Sequence, residues 1–196
     1  MARARLAAHK KGARRLGAEV AFLDETGHSY RARVGTTWAP AGHAPVLRRV
    51  SKRREISSVV CLTAPLDGRP PRLFARHFLG SVHAPELITA VCYFQRRLGG
   101  GPLILVLDRL NVHRAHLTQA FFARHCDEFL LEWLPSYAPE VNPEEQCNGW
   151  VKRATLNGLP ASDAELRRLA RRAFQRLARR PSVMREFFAH AGLSVT

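Results

Sequence analysis

The chain has 196 residues, 46% of them hydrophobic, with 31 Lys and Arg against 16 Asp and Glu and a formal net charge of +15. That length and apolar content describe one ordinary domain with a real core and exclude a disordered chain, while the charge points to a polyanionic partner. Arg far outnumbers Lys, and its planar fork is the better match to phosphate, so nucleic acid is the expected partner.

In chain order, residues 1–17 form a basic, Ala-rich lead-in, read as a short helix. The apolar run Val20-Ala21-Phe22-Leu23 ending at Asp24 reads as a strand. Glu25-Thr26-Gly27 has turn chemistry, so Ser29 to Thr36 is expected to return as the second arm of a hairpin. Residues 39–54 hold three Pro or Gly breakers (Pro40, Gly42, Pro45) and read as a loop, and two further strands follow at Ile56–Leu62 and Arg72–Phe78 around the turn Pro65-Leu66-Asp67-Gly68. Leu87, Ile88, Val91, Cys92 and Phe94 have helical spacing, which predicts a helix from Ala84 to Leu98 closed by three glycines. Leu103 to Asp108 is continuously apolar up to its last residue, the pattern of a strand covered on both faces. A helix over Ala115–Ala123, a strand over Glu128–Trp133 and a helix from Asn142 to about Thr155 come next. An amphipathic helix from Asp163 to Arg179 and a shorter one near Val183–His190 close the chain. Antiparallel strands followed by alternating strands and helices predict a mixed α/β fold.

Cys61, Cys92, Cys126 and Cys147 are too scattered for a metal motif and too few for a disulfide scaffold, so they read as reduced and mostly buried, in a cytoplasmic protein associated with the nucleoid. No stretch approaches a membrane span, so no membrane partner is expected.

Three acids stand out. Asp24 and Asp108 end apolar strands, where a sheet opens into a crevice, and Glu145 lies in Asn142-Pro143-Glu144-Glu145. Carboxylates gathered at one point repel one another unless cations neutralise them. Each acid also has a structural reading: Asp24 as a turn cap, Asp108 as a helix N-cap, and Glu145 as the N3 acid of a capping box begun by Asn142 and Pro143. Asn111 and His113 share the loop that follows Asp108, and Glu25 follows Asp24 directly. Basic residues cluster at Arg48, Arg49, Lys52, Arg53 and Arg54, at Lys152 and Arg153, and along the last long helix at Arg168, Arg171 and Arg172. Together they favour an extended anion-binding surface.

The segments Phe22-Leu23-Asp24-Glu25-Thr26-Gly27, Thr37-Trp38-Ala39-Pro40-Ala41-Gly42, Leu107-Asp108 to His113, and Leu134 to Glu145 with Lys152-Arg153 resemble the catalytic domain of bacterial insertion-sequence transposases of the six-thirty type, in the mariner-like superfamily. The resemblance runs from about residue 17 to Leu193. It implies a ribonuclease-H-like mixed sheet flanked by helices over residues 18–160, with a basic helical C-terminal tail, residues 161–196, packed on it. It also implies a DDE triad of Asp24, Asp108 and Glu145 that catalyses and holds two Mg²⁺ or Mn²⁺ ions; Glu25, Asn111, His113 and Asn142, near those acids in the sequence, are the candidate supports. The partners it implies are double-stranded DNA, as transposon ends and a TA target, and a second copy of the chain. Only 23 residues precede Asp24, so an end-recognising helix-turn-helix polypeptide from an upstream reading frame is expected as a further partner. The aromatic residue that follows the family's catalytic Glu is displaced here, with Cys147-Asn148-Gly149 in its stretch and Trp150 beyond. A catalytically inactive or partner-dependent DNA-binding remnant is the alternative reading.

Overall fold

In the computed structural model, residues 17–30, 35–48, 55–64, 69–135 and 141–193 are described. Of the lead-in expected over 1–17, residues 1–16 lie outside them. Five strands form one sheet: β1 (Glu19–Ser29), β2 (Glu55–Ala64), β3 (Arg72–Leu79), β4 (Leu103–Leu107) and β5 (Phe129–Trp133), in the order β3-β2-β1-β4-β5. β1, β2 and β3 pair antiparallel, and β4 and β5 continue the sheet parallel to β1. All five residues of β4 are buried, as their continuous apolar run requires.

The helices are α1 (Ala84–Arg97), α2 (Asn111–Arg114), α3 (His116–Arg124), α4 (Pro143–Ala154), α5 (Asp163–Ala178) and α6 (Pro181–His190). Side chains alternate across the sheet, and the two faces are covered separately. Ala21, Leu23, Leu105 and Leu107 meet Leu87, Val91 and Phe94 of α1 and Phe122 of α3. Val20, Phe22, Ile104 and Val106 meet Cys147 and Val151 of α4, Phe174 and Leu177 of α5 and Phe188 of α6. Phe22 and Phe188 pack edge to face with centroids 5.7 Å apart.

The expected hairpin at Glu25-Thr26-Gly27 does not form. β1 runs straight through these residues, and Gly27 pairs with Ser57 across the sheet. Thr26 and His28 are buried while Gly27 is exposed, so the alternation of a half-buried strand overrides the local turn preference. The hairpin's return arm falls partly on residues outside the described set, and 35–36 are not strand. The expected helix at 115–123 forms as α3, and the stretch after Asp108 expected as a loop holds the short α2, separated from α3 at Ala115, whose backbone is extended (φ −57°, ψ 140°). α4 runs unbroken through Gly149, and Trp150, beyond it, lies under the Arg180 guanidinium at 5.8 Å. The four cysteines are free; Cys61 and Cys147 are buried, Cys92 is half-buried and Cys126 is exposed. Among the described residues no helix is long and apolar enough to cross a membrane.

Beneath α5, His28 Nε2 lies 2.9 Å from Ser58 Oγ, which is 2.7 Å from His77 Nδ1. Burial pushes both imidazoles down to about 4, helped at His28 by Lys152 and at His77 by the neighbouring His28. The folded values lie below the unfolded one, so the unfolded chain takes up protons first. Stability is therefore unaffected above about pH 6.5 and falls as pH drops from there toward 4, by on the order of 3 kcal/mol for the buried His28. His28→Gln, which keeps a neutral partner for Ser58, is expected to flatten this acid limb in urea unfolding at pH 7 and pH 4.5. An unchanged difference between the two pH values would contradict the assignment.

Candidate active site

The parallel pairing of β1 with β4 matches Phe22 to Val106. Two residues further along each chain come Asp24 and Asp108, near enough for the Asp108 charge to raise the Asp24 pKa. β1 continues to Ser29 beside β2, while the chain leaves β4 after Leu107. Asp24 therefore stands where β1 and β4 part rather than at a strand end, and the two aspartates flank the opening of a parallel sheet, the place where such sheets hold ligands.

Asp108 begins a tight network. Its Oδ1 accepts from Leu110 N at 3.1 Å and lies 2.9 Å from His113 Nδ1, which is also 3.0 Å from the Asp108 carbonyl. The other ring nitrogen, Nε2, lies 2.9 Å from Glu25 Oε1. His113 is fully buried. Burial alone would depress its pKa, but Asp108 and Glu25 on either side outweigh that and hold it up to about 10. The protonated ring clamps two carboxylates in place. In return, although burial opposes ionisation of Asp108, His113 and the Leu110 amide hold its carboxyl below the usual range.

Asp24 has the opposite surroundings. Burial raises it to about 6, with the charges of Glu25 and Asp108 adding to the effect. Its Oδ1 accepts from Glu25 N at 2.8 Å, the local cap that its position in the sequence also allows. Its Oδ2 accepts from Asn148 Nδ2 at 3.2 Å. The same Asn148 nitrogen donates to Glu144 Oε2 at 2.8 Å.

Glu144 is the residue that sequence reasoning passed over. It is 0% exposed, and burial, with the adjacent Asp24, raises its pKa well above the ordinary carboxylate value. A protonated Glu144 carboxyl could donate to the Asp24 carboxylate, which would oppose the rise at Asp24. A signal was present in the sequence: Glu144, Cys147, Asn148 and Val151 follow the i, i+3, i+4, i+7 spacing of one helix face, and all four are buried. Asn148, on the same buried face, was missed for the same reason.

Glu145 occupies the exposed side of the first turn of α4, close enough for its charge to raise Glu144. Asn142 caps this helix, its side-chain oxygen accepting from Glu144 N at 3.1 Å, with Pro143 at the first helical position. Asn111 opens α2 and is exposed. Of the expected acids, Asp24 and Asp108 are brought together across the opening, with Glu25 and His113 linking them on one face. Glu144 and Asn148 close the other. Among the described residues no three His, Cys, Asp or Glu side chains already form a group arranged to hold an ion. The donor set nonetheless fits a hard divalent cation in kind: it is all carboxylate oxygen, and His113 is the cation bonded to it.

Of the expected DNA contacts, Arg48, Arg153, Arg168, Arg171 and Arg172 are exposed and Lys152 is half-buried. Arg49, Lys52, Arg53 and Arg54 lie outside the described residues.

Carboxylates at the parting of two parallel strands, faced by the acidic first turn of a helix, define a class of nuclease-like catalytic cores. Residues 19–167 match the family model of the DDE superfamily endonucleases, and the chain belongs to that family. No curated protein matches it. Among solved structures it is similar to the Mos1 strand transfer complex, at 13% identity over 97% of this chain and 59% of that one, with a TM-score of 0.57. It is similar also to the Mos1 transposase paired-end complex with the left transposon end, at 13% identity over 99% and 62% of the two chains and a TM-score of 0.54. The Mos1 transposase catalytic domain with raltegravir and Mn aligns at 10% identity over 95% and 90%, with a TM-score of 0.50. The chain thus spans about three-fifths of the longer Mos1 chains. Its five-stranded mixed sheet flanked by helices is the ribonuclease-H-like fold of transposase catalytic cores.

Proposed function

We propose that the chain is the catalytic domain of an insertion-sequence transposase of the six-thirty type, which cuts DNA strands and joins the freed end to a target with the help of two Mg²⁺ or Mn²⁺ ions. The observation that carries this reading is the pair Asp24 and Asp108, close enough for their charges to interact where β1 and β4 part. Asp24, Asp108 and Glu145 would hold the ions. Glu145 is preferred to Glu144 because a ligand that must also meet a phosphate needs access from solvent, and Glu144 is 0% exposed. When bound, the cations supply a polarised water on one side of the scissile phosphate and neutralise the leaving 3′ oxygen on the other.

The chain's own residues do the positioning. His113 fixes Asp108 and Glu25; Asn148, itself held by Glu144, fixes Asp24. Such pre-organisation keeps the carboxylates aimed without reorganisation at the moment of reaction. After cleavage, the 3′ hydroxyl becomes the nucleophile on target DNA, at a TA step.

Phosphate contacts position a protein without carrying sequence information, which requires an element seated in a groove. The reading therefore includes an end-recognising helix-turn-helix polypeptide and a second copy of the chain on the DNA, all at the nucleoid. Purified chain is expected to nick supercoiled plasmid in Mn²⁺ and to join a 3′-hydroxyl oligonucleotide to plasmid. Loss of both in folded protein would leave the DNA-binding remnant as the better account. Duplex binding should lose affinity with salt at a slope of about −0.9 per phosphate neutralised, and reversing Arg168 and Arg172 to Glu should flatten it by roughly 2. An unchanged slope would show that this side of α5 faces away from DNA.

A further inference from the structure

Away from the acids, a cavity of about 580 Å³ touches six successive residues, 73–78, of β3. Successive side chains of a strand point to opposite faces, so a cavity touching all six runs along the strand's edge. β3 is the terminal strand of the sheet, and among the described residues no strand pairs with its outer edge. The groove thus has an unused ladder of backbone donors and acceptors as its floor.

Its walls are cationic. Arg167 and Arg171 of α5 line one side beside Phe174, and Tyr93 of α1 lines the other. The Arg76 guanidinium lies 5.1 Å from the centre of the Tyr93 ring and 5.8 Å from that of Phe78. Among the described residues no carboxylate lines the groove. Arg167 Nε is buried and has no hydrogen-bond partner among the described residues, a donor waiting for an acceptor.

We propose that this groove binds an extended acidic segment of a partner polypeptide, which adds to β3 as a sixth strand and places acidic side chains against Arg167 and Arg171. Backbone bonds along the edge would give affinity, and the guanidiniums would select the sequence. Nucleic acid fits less well for two reasons. A strand edge offers N–H donors and C=O acceptors alike, and a phosphodiester backbone has no donors to meet the carbonyls. Arg76 already covers the rings of Tyr93 and Phe78, where bases would otherwise stack. A second copy of this chain would bring its own arginines into the groove, so charge disfavours it as well.

The test uses a fluorescein-labelled acetyl-Glu-Val-Glu-Val-Glu-Val-amide peptide, the same peptide with alternate amides N-methylated, and its Lys-for-Glu counterpart. Anisotropy measures affinity, and amide shifts in ¹⁵N-labelled protein locate the site. The acidic peptide is expected to bind and to shift β3 and α5 amides, and the N-methylated and Lys peptides to bind at least about tenfold more weakly. Arg167→Glu with Arg171→Glu should weaken the acidic peptide by a similar factor. Equal binding of the acidic and Lys peptides, or no effect of N-methylation, would overturn the proposal without variant protein. Octathymidylate shifting the same β3 amides more tightly would assign the groove to nucleic acid instead, and β3 shifts driven by protein concentration alone would assign it to a second copy.

Discussion

Asp108→Ala is expected to lower Mn²⁺-dependent nicking of supercoiled DNA by about a thousandfold, equivalent to about 4 kcal/mol of transition-state stabilisation. Affinity for DNA should be unchanged or higher, because a negative charge facing phosphate is removed. Asp108 also accepts from Leu110 N and holds His113, so the alanine variant disturbs the loop as well as the ligand. Asp108→Asn separates the two effects: its amide oxygen still accepts from Leu110, while the charge is gone. Both variants should be inactive, and the asparagine variant should melt near the parent. A variant that cleaves like the parent would remove Asp108 from the reaction.

Glu145→Gln is expected to cause a loss of similar size, whereas Glu144→Gln should cost less than about tenfold. Glu144 is buried against Asp24 and Asn148, and burial beside the Asp24 charge favours its protonated form. An amide of the same size can donate to Asp24 and accept from Asn148, so the replacement preserves the support. Glu144→Ala leaves the buried Asn148 amide one partner short and should cost about 1–3 kcal/mol of stability in urea unfolding. The reverse pattern, with Glu144→Gln inactive and Glu145→Gln active, would make the buried acid the ligand.

These two neighbours also mark how far the residues could be read in order. β4 was legible because five apolar residues in a row can be satisfied only between two covered faces. Asp108 followed from it, since the loop that leaves a buried strand is the first place a charge can sit. β1 was misjudged at Glu25-Thr26-Gly27 because turn propensity is local, whereas the pairing that keeps β1 extended comes from β2, about thirty residues away. Asp24, singled out because it ends the apolar run, stands instead where β1 and β4 part, with β1 continuing beyond it. Asn148 and Glu144 needed the phase of α4, which Pro143 starts and the buried Cys147 and Val151 fix. The groove beside β3 had no sequence signature, for strand order and the approach of α5 are tertiary facts.

The most direct test of the site is to locate the cation itself. In ¹⁵N-labelled protein titrated with Mn²⁺, paramagnetic broadening is expected around Asp24, Asp108 and the first turn of α4, sparing β3 and the far end of α5. Asp24→Asn with Asp108→Asn should abolish it while the rest of the spectrum stays folded. Broadening centred elsewhere, or persisting unchanged in the double variant, would contradict a metal centre built on these two aspartates.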